Sequence, residues 1–209
     1  VKVACFNMDA LLKTFDFDDS RFSFQQFSRI GFALYRRIVK PIILNFLTRL
    51  RIIGRCYQIR KNDQSFPEVV RVKGLLPITL VETNFFQSEK LFDPSKLSFS
   101  IKKEFLKKAK EIMESLPDKH EKVFIHVRRG DYIEVPYNGE MGIELPLSYY
   151  EQAIQMVDQE VESPLYIFLT DDYPFVKSKF SHLENTYFSK ESMGVDLALM
   201  SLCKHGVIS

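Results

Sequence analysis

The pattern that most narrows the fold is a strand–helix–strand succession in the second half of the chain. Val123–Ile125 is a short apolar run with β-branched bias, and Leu165–Leu169 is a second, longer one. Runs of this length that do not alternate with polar residues read as strands buried on both faces. Between them, Pro146-Leu147-Ser148-Tyr149-Tyr150 leads a helical pattern that runs through Val157, and Ser148 and Glu151 have the spacing of a capping box. Strand, helix and strand in that order make a βαβ unit, which requires parallel strands. Asn185–Phe188 reads as a third short strand, Asp196–Cys203 as a helix, and Gly206–Ser209 as the start of a fourth strand. The fold class is α/β.

Both long strands end in polar clusters. His126-Val127-Arg128-Arg129-Gly130-Asp131 follows the first, and Thr170-Asp171-Asp172 the second. In open α/β sheets ligands bind beyond the carboxyl ends of the strands. Arginine presents a planar fork of donors that matches phosphate oxygens, and it stays charged at any working pH. An anion site and a pair of surface charges after a strand are both compatible with this spacing. Asp171 and Asp172 are adjacent, so they resemble a D-x-D metal motif only superficially, and strand alternation would point them apart. Residues 133–145, with Pro136, Asn138, Gly139 and Gly142, read as a loop long enough to cover a site.

Upstream, Ser100–Leu116 reads as a helix ended by Pro117 and Asp118, with Ile101, Phe105, Ala109, Ile112 and Leu116 on one face and lysines opposite. A domain boundary is placed there. The net charge of +2 conceals a segregation: residues 29–61 contain Arg29, Arg36, Arg37, Lys40, Arg49, Arg51, Arg55, Arg60 and Lys61 and no acidic residue. Apolar residues recur through this stretch at helical spacing around Pro41, which predicts an amphipathic helix bent or restarted at the proline. Its first reading is a core-facing helix with a solvated basic back. Its second is peripheral contact with an anionic membrane. Nucleic acid is set aside, because no base-stacking motif accompanies the charge. Asp16, Asp18 and Asp19 lack the glycine and distal Glu of an EF-hand and read as a solvated turn. The three cysteines, Cys5, Cys56 and Cys203, show no close pairing, so neither a disulfide framework nor a zinc site is expected, and a reducing compartment is the simpler reading.

Four stretches resemble one family in one order. His126-Val127-Arg128-Arg129-Gly130-Asp131 is similar to the H-x-R-R-x-D motif of the α1,2/α1,6-fucosyltransferases, and its glycine version resembles the α1,2 (galactoside 2-α-L-fucosyltransferase) family. Phe85-Phe86-Gln87-Ser88-Glu89-Lys90 resembles that family's Y-F-Q-S-E-K segment. Phe168-Leu169-Thr170-Asp171-Asp172 resembles F-S-D-D, and Asp196-Leu197-Ala198-Leu199-Met200-Ser201-Leu202-Cys203-Lys204-His205 resembles D-x-x-L-M-S-x-C-x-H. The family's glycine-rich opening segment and its distal N-S-T-F-S-W-W segment have no counterpart here, and the sequence contains no Trp, so a chain incomplete at both ends is expected.

The resemblance implies a GT-B-like two-domain glycosyltransferase, with an acceptor-side domain over residues 1–118 and a Rossmann-like GDP-fucose-binding domain over 119–209. It implies inverting transfer of L-fucose from GDP-fucose to the 2-hydroxyl of a terminal galactoside in a glycan or surface polysaccharide, with no metal and no cofactor. Arg128 is then the candidate catalytic residue, stabilising the departing diphosphate. His126, Arg129 and Asp196 are candidate donor-binding residues. Alternatives stay open for each: His126 as a structural strand-end residue, Arg129 as a brace for the loop, Asp196 as a helix-start residue or as a reader of guanine. Asp131, Asp171, Asp172 and Glu89 are candidate supporting residues, Glu89 as a base or in a structural ion pair. An α1,6-fucosyltransferase and a non-catalytic basic membrane-surface module built on residues 29–61 are the competing functions. With no signal peptide or spanning segment in the sequence, a bacterial-type enzyme at the cytoplasmic face of the membrane is expected.

Overall fold

The computed structural model describes residues 3–6, 9–17, 22–25, 28–59, 68–81, 99–137 and 139–209. The expected polar loop at 85–90, with Glu89, lies outside the described residues. The chain separates into two units: Val1–Asp9 with Phe17–Phe99, and Ala10–Asp16 with Ser100–Ser209. The boundary expected after residue 118 therefore falls inside the second unit.

The second unit is built on the two apolar runs. Strand β8 (Glu121–Val127) and strand β11 (Pro164–Thr170) pair in parallel over their full length, Glu121 opposite Pro164 and Val127 opposite Thr170. Strand β12 (Thr186–Phe188) joins the far side of β11, and β13 (His205–Val207) the far side of β8, both parallel. The order across the sheet is β12-β11-β8-β13. From β8 the chain steps outward twice and then crosses back past its starting strand, as a doubly wound sheet does.

Four helices cover this sheet: α4 (Lys103–Ser115), α5 (Leu147–Glu160), α6 (Tyr173–Phe180) and α7 (Met193–Leu202). Alternation along β11 divides the core. Tyr166 and Phe168 join Val123, Ile125 and Val127 of β8 against Tyr150 and Ile154 of α5 and Val176 and Phe180 of α6. Leu165, Ile167 and Leu169 face the other way, onto Ala109 and Ile112 of α4 and Val195, Ala198 and Leu199 of α7. The absence of a side chain at Gly194 lets α7 approach α4, since a Cβ there would stand 2.7 Å from the Phe105 ring. Helix α4 thus belongs to the sheet's own layer, which is why the unit begins at Ser100 and not after Asp118. Ahead of it, Phe99–Ile101 is strand β7, not helix. Helix α1 (Asp9–Thr14) leads into β2 (Phe15–Phe17), and the Lys102 N–H donates to the Thr14 carbonyl at 3.0 Å. The expected capping box is not formed. Pro146, not Ser148, caps α5, and no side chain bonds to that helix end.

In the first unit, β1 (Val3–Phe6) pairs in parallel with β3 (Phe22–Gln25). Strand β4 (Gly54–Ile59) pairs antiparallel with β5 (Glu68–Val72) and parallel with β6 (Thr79–Val81). The predicted basic helix is present as α2 (Arg29–Leu34), a π-helical stretch over Tyr35–Leu44, and α3 (Asn45–Arg49). It does not restart at Pro41, which lies inside the π-helical stretch. The wider turn takes up the proline, and the Asn45 N–H reaches the Lys40 carbonyl five residues back. The core-facing reading is corrected: none of the three pieces has a buried residue, and Ile30, Leu34, Ile38, Ile42, Phe46 and Leu50 are exposed.

Candidate functional site

Parallel pairing with matched ends puts the residues after β8 and after β11 at one sheet edge. The crossing back from β12 to β13 places a topological switch between β8 and β13 at that same edge, where open α/β sheets bind ligands. Two aspartates after β11 each take one of the two arginines after β8.

Arg128 is held from both sides. One terminal nitrogen of its guanidinium lies 2.8 Å from Asp171 Oδ2, and the other donates to Asp131 Oδ1 at 2.7 Å. The two carboxylates differ in fixity. Asp171, 28% exposed, also accepts the backbone N–H groups of Arg129 and Gly130 through Oδ1, at 2.9 and 3.0 Å. Asp131, 67% exposed, stands on a short 3₁₀ turn (Asp131–Glu134). Partial burial alone would raise the Asp171 carboxyl; the two backbone N–H bonds and Arg128 outweigh it and hold the group below its ordinary value. Gly130 is required by this packing, because a Cβ there would lie 2.6 Å from Asp171 Oδ2.

Arg129 is engaged differently. Its Nε donates to Asp172 Oδ2 at 3.1 Å, its guanidinium lies 3.9 Å from the centre of the Phe175 ring, and Glu144 approaches to 4.0 Å. Asp172 is in turn the N-cap of α6, accepting the Phe175 N–H at 3.2 Å. This arginine ties the β8 loop to the start of α6. The adjacent aspartates lie beyond the end of β11, so strand alternation does not govern them; each finds its own cation in the β8 loop. The stretch 133–145 folds back beside the arginines as β9 (Pro136–Tyr137) and β10 (Glu140–Met141), with the Ile143 N–H donating to the Tyr132 carbonyl at 3.0 Å.

His126 sits beneath the loop. The Arg128 N–H donates to Ser209 Oγ at 3.0 Å, and Ser209 Oγ lies 3.2 Å from His126 Nδ1. The serine oxygen accepts from the arginine backbone and makes a second contact with the ring, whose direction is set by the His126 tautomer. Burial lowers the His126 pKa, Asp171 opposes that and Arg128 adds to it, leaving the neutral form favoured. Ser209 and the buried Tyr150, whose hydroxyl has the Ser209 hydroxyl as its neighbour, were not singled out by sequence. Burial raises the Tyr150 pKa; the neighbouring Ser209 hydroxyl lowers it, and Tyr149 and Asp171 raise it further.

Asp196 is not part of this cluster. It lies on the first turn of α7, the helix that follows β12, and β12 is two strands along the sheet from β8. Its carboxylate accepts the Ser189 hydroxyl at 2.5 Å. Burial pushes its pKa up to about 6, Ser189 works against that, and Glu191 adds to it. The edge thus offers a fixed cation at one point and a carboxylate acceptor at another. A depression of about 640 Å³ lies at the opposite sheet edge, where Lys119 and Lys122 alternate with Glu121 and Glu162. Its mixed charge does not select an anion.

Residues 69–209 match the family model described as glycosyl transferase family 11. The O-antigen biosynthesis glycosyltransferase WbnK of Escherichia coli is 33% identical over 89 residues, covering 41% of this chain and 30% of that protein. The galactoside 2-alpha-L-fucosyltransferase SEC1 of Bos taurus is 30% identical over 92 residues, covering 42% of this chain and 25% of that protein. The matched part spans between a quarter and a third of the length of these curated relatives. No solved structure matches the chain.

Proposed function

The chain belongs to glycosyl transferase family 11, and from that premise we propose that the full-length protein is an α1,2-fucosyltransferase that transfers L-fucose from GDP-fucose to the 2-hydroxyl of a galactose-terminated glycan, with inversion. The observation that carries this reading is Arg128, aimed by a fixed Asp171 and capped by an exposed, exchangeable Asp131 at the switch edge of a parallel sheet.

The chemistry follows from the leaving group. A diphosphate gains negative charge as the bond to the sugar breaks, so a donor fork already in place is worth more in the transition state than in the ground state. Arg128 fills that role once the diphosphate displaces the Asp131 carboxylate, while Asp171 keeps the guanidinium from turning. Arg129 acts as the brace, since Asp172 and Phe175 already hold it. His126, held neutral by burial, offers its imidazole toward the nucleotide. Asp196, when ionised, accepts from N1–H and N2–H of guanine and so selects GDP, with the diphosphate directed toward Arg128. In this reading donor binding proceeds without a metal, with Asp171 and Asp172 engaged by Arg128 and Arg129. The two units correspond in this reading to the acceptor and donor sides of a GT-B enzyme, with the second unit as the donor side.

The test is product analysis. Incubated with GDP-fucose and a β-galactoside in the presence of EDTA, the full-length protein is expected to give an α1,2-linked fucoside of the galactose. An α1,6 linkage, no product, or activity restored only by manganese would overturn the corresponding part of the proposal.

A further inference from the structure

The first unit carries an exposed face that is not part of the arginine–aspartate site. Ile30, Leu34, Ile38, Ile42, Phe46 and Leu50 recur at every fourth position along the helical segment, and all six are between 45 and 83% exposed. In a continuous α-helix, four residues overshoot one turn by about 40°. A row this long would therefore wind off any single face. The π-helical turns over Tyr35–Leu44 hold more than four residues each, so there the same spacing falls short of a turn. The two drifts oppose one another, and the α–π–α succession keeps the apolar row on one side.

The neighbouring rows define what that side can meet. One residue earlier runs Arg29, Ala33, Arg37, Pro41, Asn45 and Arg49, exposed along its whole length and carrying three arginines. One residue later, Gly31, Tyr35, Val39 and Leu47 are half-buried, while Ile43 in the same row is 47% exposed and widens the apolar face. The segment thus presents an apolar stripe with a cationic border, in a stretch from 29 to 61 that contains no acidic residue.

We infer that this face docks on the surface of an anionic lipid bilayer. The apolar row enters the boundary between headgroups and acyl chains, and the arginines lie beside it at the level of the lipid phosphates. Among the described residues no helix is long and apolar enough to cross a membrane, so the segment lies on the bilayer. A nucleic acid would match the arginines but leave the six apolar side chains in water. A second copy packed isologously would bring arginine row close to arginine row, which like charges oppose. This inference does not rest on the transferase reading, and the two are measured separately.

The test uses the full-length protein in cosedimentation with vesicles of phosphatidylcholine, with and without phosphatidylglycerol. Binding is expected only to vesicles containing phosphatidylglycerol and is expected to fall as salt rises. Ile38→Asp with Ile42→Asp, and separately Arg37→Glu with Arg49→Glu, are each expected to lower it at least about tenfold, with the melting temperature and GDP affinity unchanged. No binding to anionic vesicles, or binding that survives both double variants, overturns the inference. A dimer in lipid-free solution that Ile38→Asp with Ile42→Asp dissolves would assign the face to a second copy instead. Protection of an Ile42→Cys thiol from maleimide in the lipid-free monomer would assign it to the protein's own chain.

Discussion

Two regions of this molecule concentrate arginine, and they do so in opposite ways. At the switch edge of the second unit, Arg128 and Arg129 are matched by Asp131, Asp171 and Asp172 within 3.1 Å. Along the helical segment of the first unit, the arginines are spread over more than twenty residues with no acidic residue in the stretch and an apolar row beside them. A cluster whose charges are countered and whose geometry is fixed is prepared for one small anion, since little needs to reorganise when it binds. A cluster spread along an exposed face suits an extended charged surface, where contributions add residue by residue. The amount of positive charge does not separate the two; the placement of the carboxylates does.

The sharpest way to break this comparison is Arg128→Ala. It is expected to lower kcat on the order of 10²- to 10³-fold, with circular dichroism and melting temperature essentially retained; near-normal turnover would make the matched cluster structural only. Next comes Gly130→Ala, which drives a Cβ into Asp171 and is expected to weaken GDP about tenfold, roughly 1.4 kcal/mol, by calorimetry. Arg129→Ala should separate brace from ligand. Loss of the Asp172 and Phe175 contacts is expected to cost about 1–2 kcal/mol in denaturant unfolding, with a smaller loss of kcat than at Arg128.

Asp196 adds a pH test with opposite signs for binding and stability. Its folded pKa of about 6 exceeds the ordinary aspartate value of 3.8, so the folded state binds more protons between those values. The stability this contributes is fully present below about 4 and is lost as pH rises through 6. Asp196→Asn is therefore expected to raise stability near pH 7.5, on the order of 1 kcal/mol after allowing for solvent screening. The same change should weaken GDP more than UDP. GDP affinity of the unaltered protein is expected to fall as pH drops below about 6, measured by titration at several pH values. Equal losses for both nucleotides would leave Asp196 a structural role alone.

Much of the second unit was legible in the sequence, because strands covered on both faces must be apolar at every position. Val123–Ile125 and Leu165–Leu169 could be placed without knowing what covers them, and the polar residues that follow each run necessarily share an edge once the strands are parallel. The reach of Asp171 to three groups of the β8 loop was not legible, since it depends on pairing across forty residues of chain. Ser209 and Tyr150 escaped notice for the same reason: the register of β13 against β8 brings Ser209 under Arg128, and no local pattern records that. The boundary after Asp118 was drawn from the break following α4, but Phe105, Ala109 and Ile112 give that helix to the sheet that follows. Helix α4 and the 29–50 segment also show the limit of amphipathic periodicity. Both display an apolar side, yet α4 buries Ala109 and Ile112 while the segment buries none of its residues. Periodicity identifies a face and leaves its partner to tertiary structure.

The central claim is that the Arg128–Asp171 edge holds a guanine nucleoside diphosphate, and calorimetric titration of the full-length protein with GDP, UDP and ADP, without metal, tests it most directly. Binding of GDP in clear preference to the other two, greatly weakened by Arg128→Ala, is the predicted result. Equal binding of all three, or GDP binding unaffected by Arg128→Ala, would contradict it.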